Sequence, residues 1–116
     1  MRPSQEVIEA SRELHDLGVK KEPEEGDWTV LTNGRPYNIR NFEIGWAKKK
    51  VVIPPLGWCL EWLQRRRVKA DLYCVDITDD QPMRWKVATF SGTMSSSPHL
   101  AVLKAMLAVK ESDNGL

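Results

Sequence analysis

The sequence lacks the features that mark several large classes of protein. It has only two cysteines, Cys59 and Cys74, and neither belongs to a CxxC pair or lies at metal-ligand spacing from a histidine. No apolar run approaches the roughly 18 residues that predict a membrane span, and the first residues do not form the apolar core of a signal peptide. We therefore expect a cytoplasmic protein with no membrane contact, no metal or other cofactor, and two buried free thiols.

An excess of charge of either sign is also lacking. The 116 residues carry 17 basic and 16 acidic groups, and 41% of them are hydrophobic. A disordered chain combines low hydrophobicity with high net charge, and a dedicated nucleic-acid-binding domain has a large basic excess. The balance here instead predicts one globular domain over residues 1–116, in which residues 111–116 form a flexible tail.

Two segments have the apolar periodicity of helices packed by one face. Ser4 can cap a first helix whose apolar residues recur on one side as far as Leu17, and Gly18 follows as a left-handed cap. A polar linker comes next. The second helix begins after a Pro-Pro pair and is expected to run from Leu56 to about Arg67.

Two pairs of alternating segments predict hairpins. WTVL and PYNI flank Asn33-Gly34, a dipeptide that favours tight turns with positive φ. LYCVDI and RWKVATF flank the turn-forming residues TDDQP at 78–82. Together with the helices they predict an α+β fold, in the order helix, hairpin, helix, hairpin, helix, with three helices on an antiparallel sheet of four to five strands.

The segment between the first hairpin and the second helix is ambiguous. Phe42, Ile44 and Trp46 continue an alternating pattern that predicts a strand. The residues VVI at 51–53 look like the end of another short strand, which the following prolines stop. These segments account for the fourth or fifth strand of the expected sheet.

The run IPPLGWCLEWL, the hairpin after it and the closing LAVLKAMLAVKE resemble the layout of small uncharacterised phage and prophage proteins of α/β-sandwich type. In that layout a proline-led helix precedes a Trp-bearing hairpin and an Ala/Leu-rich closing helix. The matching positions here are Leu56, Leu60, Trp62, Leu63 and Trp85. The resemblance implies a mobile-element origin and an α/β sandwich, and it implies no particular activity.

The charges are distributed unevenly along the chain. Residues 35–69 carry nine basic and two acidic groups, whereas the flanking segments are net acidic. If the fold gathers the basic residues on one side, they can bind nucleic acid; otherwise they solvate a strand end and a helix C-terminus. The candidate nucleic-acid-binding residues are Lys48, Lys49, Lys50, Arg65, Arg66, Arg67 and Lys69.

The second helix carries a candidate surface for binding another protein. If Leu56 marks the centre of its buried stripe, Trp58, Trp62 and Arg65 lie on the opposite side, with Arg66 beside them. Tryptophan next to arginine is typical of hot spots that bind protein, and it can also form a stacking platform for unpaired bases. The alternative is that a second layer of the fold covers both rings.

A catalytic site is not predicted. His15 and His99 share no motif with a cysteine or serine that would make a nucleophile and base pair. The serines at 95–97 are better explained by helix capping and loop polarity, and the aspartates around the second hairpin lack the pattern of a metal-binding loop. We therefore expect a non-catalytic protein that binds another protein, with nucleic-acid binding as the alternative.

The last helix, which Ser97 can cap, is apolar around nearly its whole circumference. Its two stripes are Leu100, Leu103 and Leu107 on one side and Val102, Met106 and Val109 on the other. A single sheet cannot cover both stripes. Either the first helix packs across the second stripe, or an identical helix does so in a homodimer, which we expect.

Overall fold

The computed structural model describes residues 2–69, 71–75, 84–87, 90 and 93–114. Over these residues the protein is α+β, as predicted, with four α-helices. The prediction of one sheet with three helices is wrong in detail, because the described strands form two small antiparallel sheets of three and two strands. The chain divides into two compact units, Met1–Pro55 and Leu56–Leu116, where the sequence predicts one domain. The turn predicted at 78–82 lies outside the described residues.

The first unit begins with helix α1, which spans Gln5–Asp16. Ser4 caps it as predicted, because its hydroxyl accepts a hydrogen bond of 3.3 Å from the Val7 amide. Gly18 follows the helix with a φ of +92°, the left-handed conformation that favours glycine. The buried residues of the helix are Val7, Ile8, Ala10, Ser11 and Leu14.

The segment after α1 is more than the polar linker that its composition suggests. Lys21 Nζ lies 2.6 Å from Asp27 Oδ2, and only 6% and 12% of these two side chains are exposed. Val19 and Pro23 are buried as well. Charges with little access to water interact strongly, so this ion pair holds the segment in a defined conformation.

The three-stranded sheet has the order β2-β1-β3, and both pairings are antiparallel. Its strands are β1 (Trp28–Val30), β2 (Pro36–Asn38) and β3 (Val51–Ile53). The first predicted hairpin is therefore confirmed. Gly34 has the expected positive φ, and the Leu31 amide donates to the Arg35 carbonyl at 2.8 Å. The turn is thus a three-residue loop closed by a left-handed glycine.

The prediction of a strand from the alternation of Phe42, Ile44 and Trp46, between β2 and β3, is wrong. Asn41–Glu43 forms a 3₁₀ turn, and Ile44–Ala47 forms the short helix α2. The Glu43 carboxylate explains the difference, because it accepts hydrogen bonds from the Arg40 amide at 3.1 Å and from the Tyr37 hydroxyl at 2.6 Å. Such local bonds stabilise the first turn of a helix over an extended strand.

The second unit begins with helix α3, which spans Leu56–Arg65 and confirms the predicted helix. Arg67, with a φ of 59°, takes the left-handed position that ends a helix and that glycine usually occupies. The Val68 amide closes this cap by donating to the Leu63 carbonyl at 3.0 Å. Arg67 therefore has a structural role at the end of the helix, independent of the nucleic-acid binding that the sequence predicts for it.

The two-stranded sheet consists of β4 (Leu72–Val75) and β5 (Arg84–Val87), which pair antiparallel as predicted. Trp85, in β5, and Ser95, which follows the strand, exchange backbone hydrogen bonds of 2.7 and 2.8 Å. The buried Thr93 hydroxyl accepts a further bond of 3.0 Å from the Val87 amide. These bonds attach the segment before the last helix to the edge of the sheet.

Helix α4 spans Pro98–Asn114, so it includes most of the segment 111–116 that the sequence predicts as a tail. Ser97 caps it as predicted. Leu103 and Met106, one from each apolar stripe, have no exposed surface in the single chain. This burial removes the argument that a second copy must cover one stripe, and the homodimer stays an untested prediction. No helix among the described residues is long and apolar enough to cross a membrane.

Candidate functional site

Three of the four residues predicted to bind a partner lie on α3, and Arg66 follows its last residue. The position of the buried face of the helix determines how far the two tryptophans are exposed. Cys59 and Leu63 have no exposed surface, whereas Leu56, the expected centre of the buried stripe, is only half-buried. The buried face is therefore centred on Cys59 and Leu63 and not on Leu56. At about 100° per residue, Trp58 and Trp62 then lie beside the buried face and not on the opposite side of the helix. Each tryptophan is therefore half-buried rather than fully exposed.

The two tryptophans form a shallow pocket on the helix surface. Trp58 and Trp62, one helical turn apart, line a volume of about 80 Å³ together with Glu61 and Arg65. Arg65 Nη2 lies 2.7 Å from Glu61 Oε1, and 76% of the arginine side chain is exposed. An exposed ion pair at this spacing contributes only about 0.3–0.5 kcal/mol. The pocket thus has aromatic walls and a charged rim that can rearrange at little cost.

Arg66 contacts the same aromatic surface. Its guanidinium carbon lies 4.1 Å from the centroid of the Trp62 ring, a cation–π contact, and the residue is exposed. The structure therefore brings the four predicted partner-binding residues together, three of them on α3 and Arg66 directly after its last residue. We call them the α3 face, defined as Trp58, Trp62, Arg65 and Arg66.

The basic segment that the sequence assigns to nucleic acid is divided between the two units. In its arginine-rich part, which follows α3, Arg65 is already paired within the helix, and Lys69 Nζ lies 3.5 Å from Asp71 Oδ2. Arg67 forms the helix cap. Cations at a helix C-terminus also interact favourably with the helix dipole. This part of the segment therefore matches the alternative interpretation, a solvated helix end.

The lysine part, Lys48–Lys50, borders a pocket of the first unit that the sequence does not predict. We call it the basic pocket; its volume is about 130 Å³. Its lining consists of His15, Lys20, Lys21, Glu22, Pro23, Lys48, Lys50 and Val52. Lys21 pairs with Asp27, but among the described residues no carboxylate lies within ion-pair distance of the other three lysines. Packing of α1 on β3 joins parts of the pocket that are distant in sequence.

An exposed aromatic pair, Phe42 and Trp46, lies in the same unit. Phe42 is 82% exposed and Trp46 is 43% exposed. The Tyr37 ring meets Trp46 edge-on at a centroid distance of 5.9 Å. The hydrogen bond that Tyr37 donates to Glu43 holds this ring and raises the pKa of Tyr37 above its ordinary value. The pair was missed as a site because its alternating spacing predicts a strand with one face buried.

Three of the groups considered for catalysis, Cys59, Ser95 and Ser97, have structural roles. Cys59 is fully buried, and burial raises the pKa of its thiol to about 12, so it keeps its proton. Cys74 is only half-buried, so the expectation of a buried free thiol is correct for Cys59 alone. Ser95 donates to the Thr93 carbonyl, and Ser97 caps α4. In the described part of the chain, no three histidines, cysteines or acidic residues are grouped to hold a metal ion.

Comparison of the chain with models of known protein families, with curated proteins and with solved structures finds no match. The resemblance to phage and prophage proteins therefore stays a prediction from the sequence. The candidate sites are therefore the α3 face of the second unit and, in the first unit, the basic pocket with the exposed aromatic pair.

Proposed function

We propose that the chain is a small non-catalytic interaction protein, of phage or prophage origin, that binds another protein through the α3 face. The observation that carries this proposal is the pocket between Trp58 and Trp62, rimmed by Glu61 and Arg65. Tryptophan and arginine are enriched among the residues that dominate binding energy at interfaces. A partner that inserts an apolar side chain between the indoles, and that presents a carboxylate to the arginines, fits both the pocket and its rim.

The packing of the second unit supports this proposal. Cys59 and Leu63 are the fully buried residues of α3, and the helix packs against α4. Trp58 and Trp62 keep part of their surface in water. Aromatic side chains have large apolar surfaces, and burying the remainder of two rings contributes strongly to association. The surface left exposed by folding is therefore available to a partner.

The experiment is a double substitution, Trp58→Ala with Trp62→Ala. We expect it to abolish binding to a protein partner recovered from nuclease-treated host lysate, while the circular dichroism spectrum and the melting temperature change little. The matched control is Phe42→Ala with Trp46→Ala, which removes two partly exposed aromatic rings from the first unit. The control variant should bind the partner as the wild type does.

A large loss of stability in the double variant would contradict the proposal. Truncation of an aromatic residue in a core costs roughly 3–5 kcal/mol, and a loss of that size for each ring would assign Trp58 and Trp62 to the core. Arg65→Glu gives a test that does not depend on the tryptophans, because most of the Arg65 side chain is exposed. It should leave folding intact and weaken binding, and unchanged binding would count against the α3 face.

The alternative function is nucleic-acid binding by the basic segment 35–69, and the lysine part favours it. Lys48–Lys50 have no ion pair among the described residues, whereas Arg65 and Lys69 do. Phosphate binding releases counterions, so the affinity should fall steeply from low to physiological salt. Charge reversal at Lys48–Lys50 should weaken binding more than charge reversal at residues 65–67. Absence of RNA and DNA binding at low salt would exclude this function.

A further inference from the structure

The basic pocket and the exposed aromatic pair of the first unit meet at Lys50. Lys50 lines the pocket, and its Nζ lies 5.5 Å from the centroid of the Trp46 ring. A cationic pocket and an exposed aromatic ring are therefore adjacent. None of the residues of this surface belongs to the α3 face.

The pocket has the size and the charge to hold a phosphate group. Its volume is about 130 Å³, several times the space of about 10–15 Å³ that a cavity needs to hold one water molecule. Lys20, Lys48 and Lys50 line it without a carboxylate at ion-pair distance in the described part of the chain, and Glu22 is the acidic residue of the lining. Lysine binds phosphate as a point charge. The excess of positive charge therefore complements an anion.

The aromatic pair identifies the kind of anion. Phe42 and Trp46 present ring surface to solvent, and Tyr37 supports Trp46 from one side. In an unpaired nucleotide, the base can stack on such a ring while the phosphate binds nearby cations. The bases of a duplex are already stacked within the helix. An acidic peptide supplies carboxylates but has no general need of a flat ring to stack on.

We propose that the basic pocket and the exposed aromatic pair bind single-stranded nucleic acid. A backbone phosphate occupies the pocket between Lys20, Lys48 and Lys50, and a neighbouring base stacks on Trp46. This inference rests on the alternative function given above, nucleic-acid binding. The inference restricts the bound nucleic acid to single strands. It also adds Lys20, Phe42 and Trp46 to the binding residues, which the sequence analysis did not include.

The experiment measures binding of the full chain to fluorescently labelled oligonucleotides of about 12 nucleotides, a length within the usual range of such sites. Single-stranded RNA, single-stranded DNA, the matched duplex and a labelled poly-glutamate peptide are titrated by fluorescence anisotropy at low and at physiological salt. We expect binding of the single strands only. One phosphate held in the pocket predicts a slope of log affinity against log salt of about −0.7, and each further phosphate contact steepens the slope by the same amount.

Two sets of variants separate charge from stacking. Lys48→Gln with Lys50→Gln removes two cations from the pocket. Arg2→Gln with Arg12→Gln is the control, with an equal loss of charge at exposed residues of the same unit that lie outside both the pocket lining and the basic segment 35–69. Trp46→Ala should weaken single-strand binding about tenfold. Phe42→Ala provides a second stacking variant, whose loss of a largely exposed ring should not affect folding.

The outcomes distinguish this inference from the function on which it rests. The single-strand inference is supported if the affinity for single strands falls in the pocket variant and in Trp46→Ala but not in the arginine control. Equal affinity for the duplex, or wild-type affinity in both stacking variants, overturns the single-strand inference while leaving general nucleic-acid binding in place. No binding of any oligonucleotide at low salt overturns both. Poly-glutamate binding as tight as that of RNA, with the same dependence on Trp46, assigns the surface to an acidic protein instead and overturns the inference.

Discussion

Lys21 and Asp27 form an ion pair of 2.6 Å whose two side chains are almost entirely withdrawn from water. The carboxylate of Asp27 also accepts a hydrogen bond of 3.0 Å from the Glu24 amide, and the Lys21 ammonium donates one of 3.0 Å to the Glu22 carbonyl. The pair thus closes the loop between α1 and β1. Because Lys21 lines the basic pocket, the same loop shapes that pocket.

Removing one partner of this ion pair should lower the free energy of unfolding more than removing both partners. Asp27→Ala leaves the buried Lys21 ammonium with the exposed Glu24 carboxylate at 3.9 Å as its remaining counter-charge. The expected loss in the free energy of unfolding is at most about 3–5 kcal/mol. Lys21→Met combined with Asp27→Ala removes both charges and should be more stable than Asp27→Ala alone. Urea denaturation of the two single variants and the double variant measures this coupling. If the losses of the two single variants simply add in the double variant, the pair is not energetically coupled.

The buried thiol of Cys59 should make stability depend on pH in the alkaline range. Burial raises the pKa of Cys59 from 9.0 to about 12, so the unfolded chain loses this proton before the folded one. The thiol's contribution is fully present below pH 9 and is lost as the pH rises towards 12, at about 1.4 kcal/mol per pH unit.

The measurement is the difference in the free energy of unfolding between the wild type and Cys59→Ala over this pH range. Other groups titrate equally in both proteins, so the difference isolates the thiol. Cys74→Ala, which keeps the buried thiol, is the control and should follow the wild type. Parallel curves for the wild type and Cys59→Ala would contradict a pKa raised by burial.

Arg67 should be replaceable by glycine with a gain in stability. A residue with a side chain in the left-handed conformation is less stable than glycine by about 1 kcal/mol, and Arg67 has a φ of 59°. Arg67→Gly should therefore raise the free energy of unfolding by up to about 1 kcal/mol, as measured by thermal or urea denaturation. Arg67→Ala removes the same charge but keeps the strained conformation, so it should give no gain. Equal stability of the two variants would contradict this explanation.

The local elements of this protein could be predicted because short-range interactions determine them. Ser4 and Ser97 cap helices where their sequence positions indicate, and Gly34 supplies the positive φ of the first hairpin. Where a local bond was not visible in the pattern, the prediction was wrong. The hydrogen bonds that Glu43 accepts favour a 3₁₀ turn and a short helix over the strand that the spacing of Phe42 and Trp46 indicates.

The candidate sites likewise combine features that the sequence predicts with features that only the tertiary structure determines. The sequence places the residues of the α3 face on one helix, but it does not show how far Trp58 and Trp62 are exposed. Their exposure depends on which residues α4 covers, and this contact centres the buried face on Cys59 and Leu63. The basic pocket could not be predicted at all, because packing of α1 against β3 brings its lysines together from separate segments.

The sequence by itself determined the α+β class, three of the helices, both hairpins and the concentration of basic charge in residues 35–69. These follow from periodicity, capping and turn residues, which act over a few positions. Only the tertiary structure decided that the strands form two sheets, that Lys21 is buried against Asp27 and that Lys50 joins a cationic pocket to Trp46. These depend on which apolar faces pack together, because burial and the distances between charges arise from contacts between residues far apart in the chain.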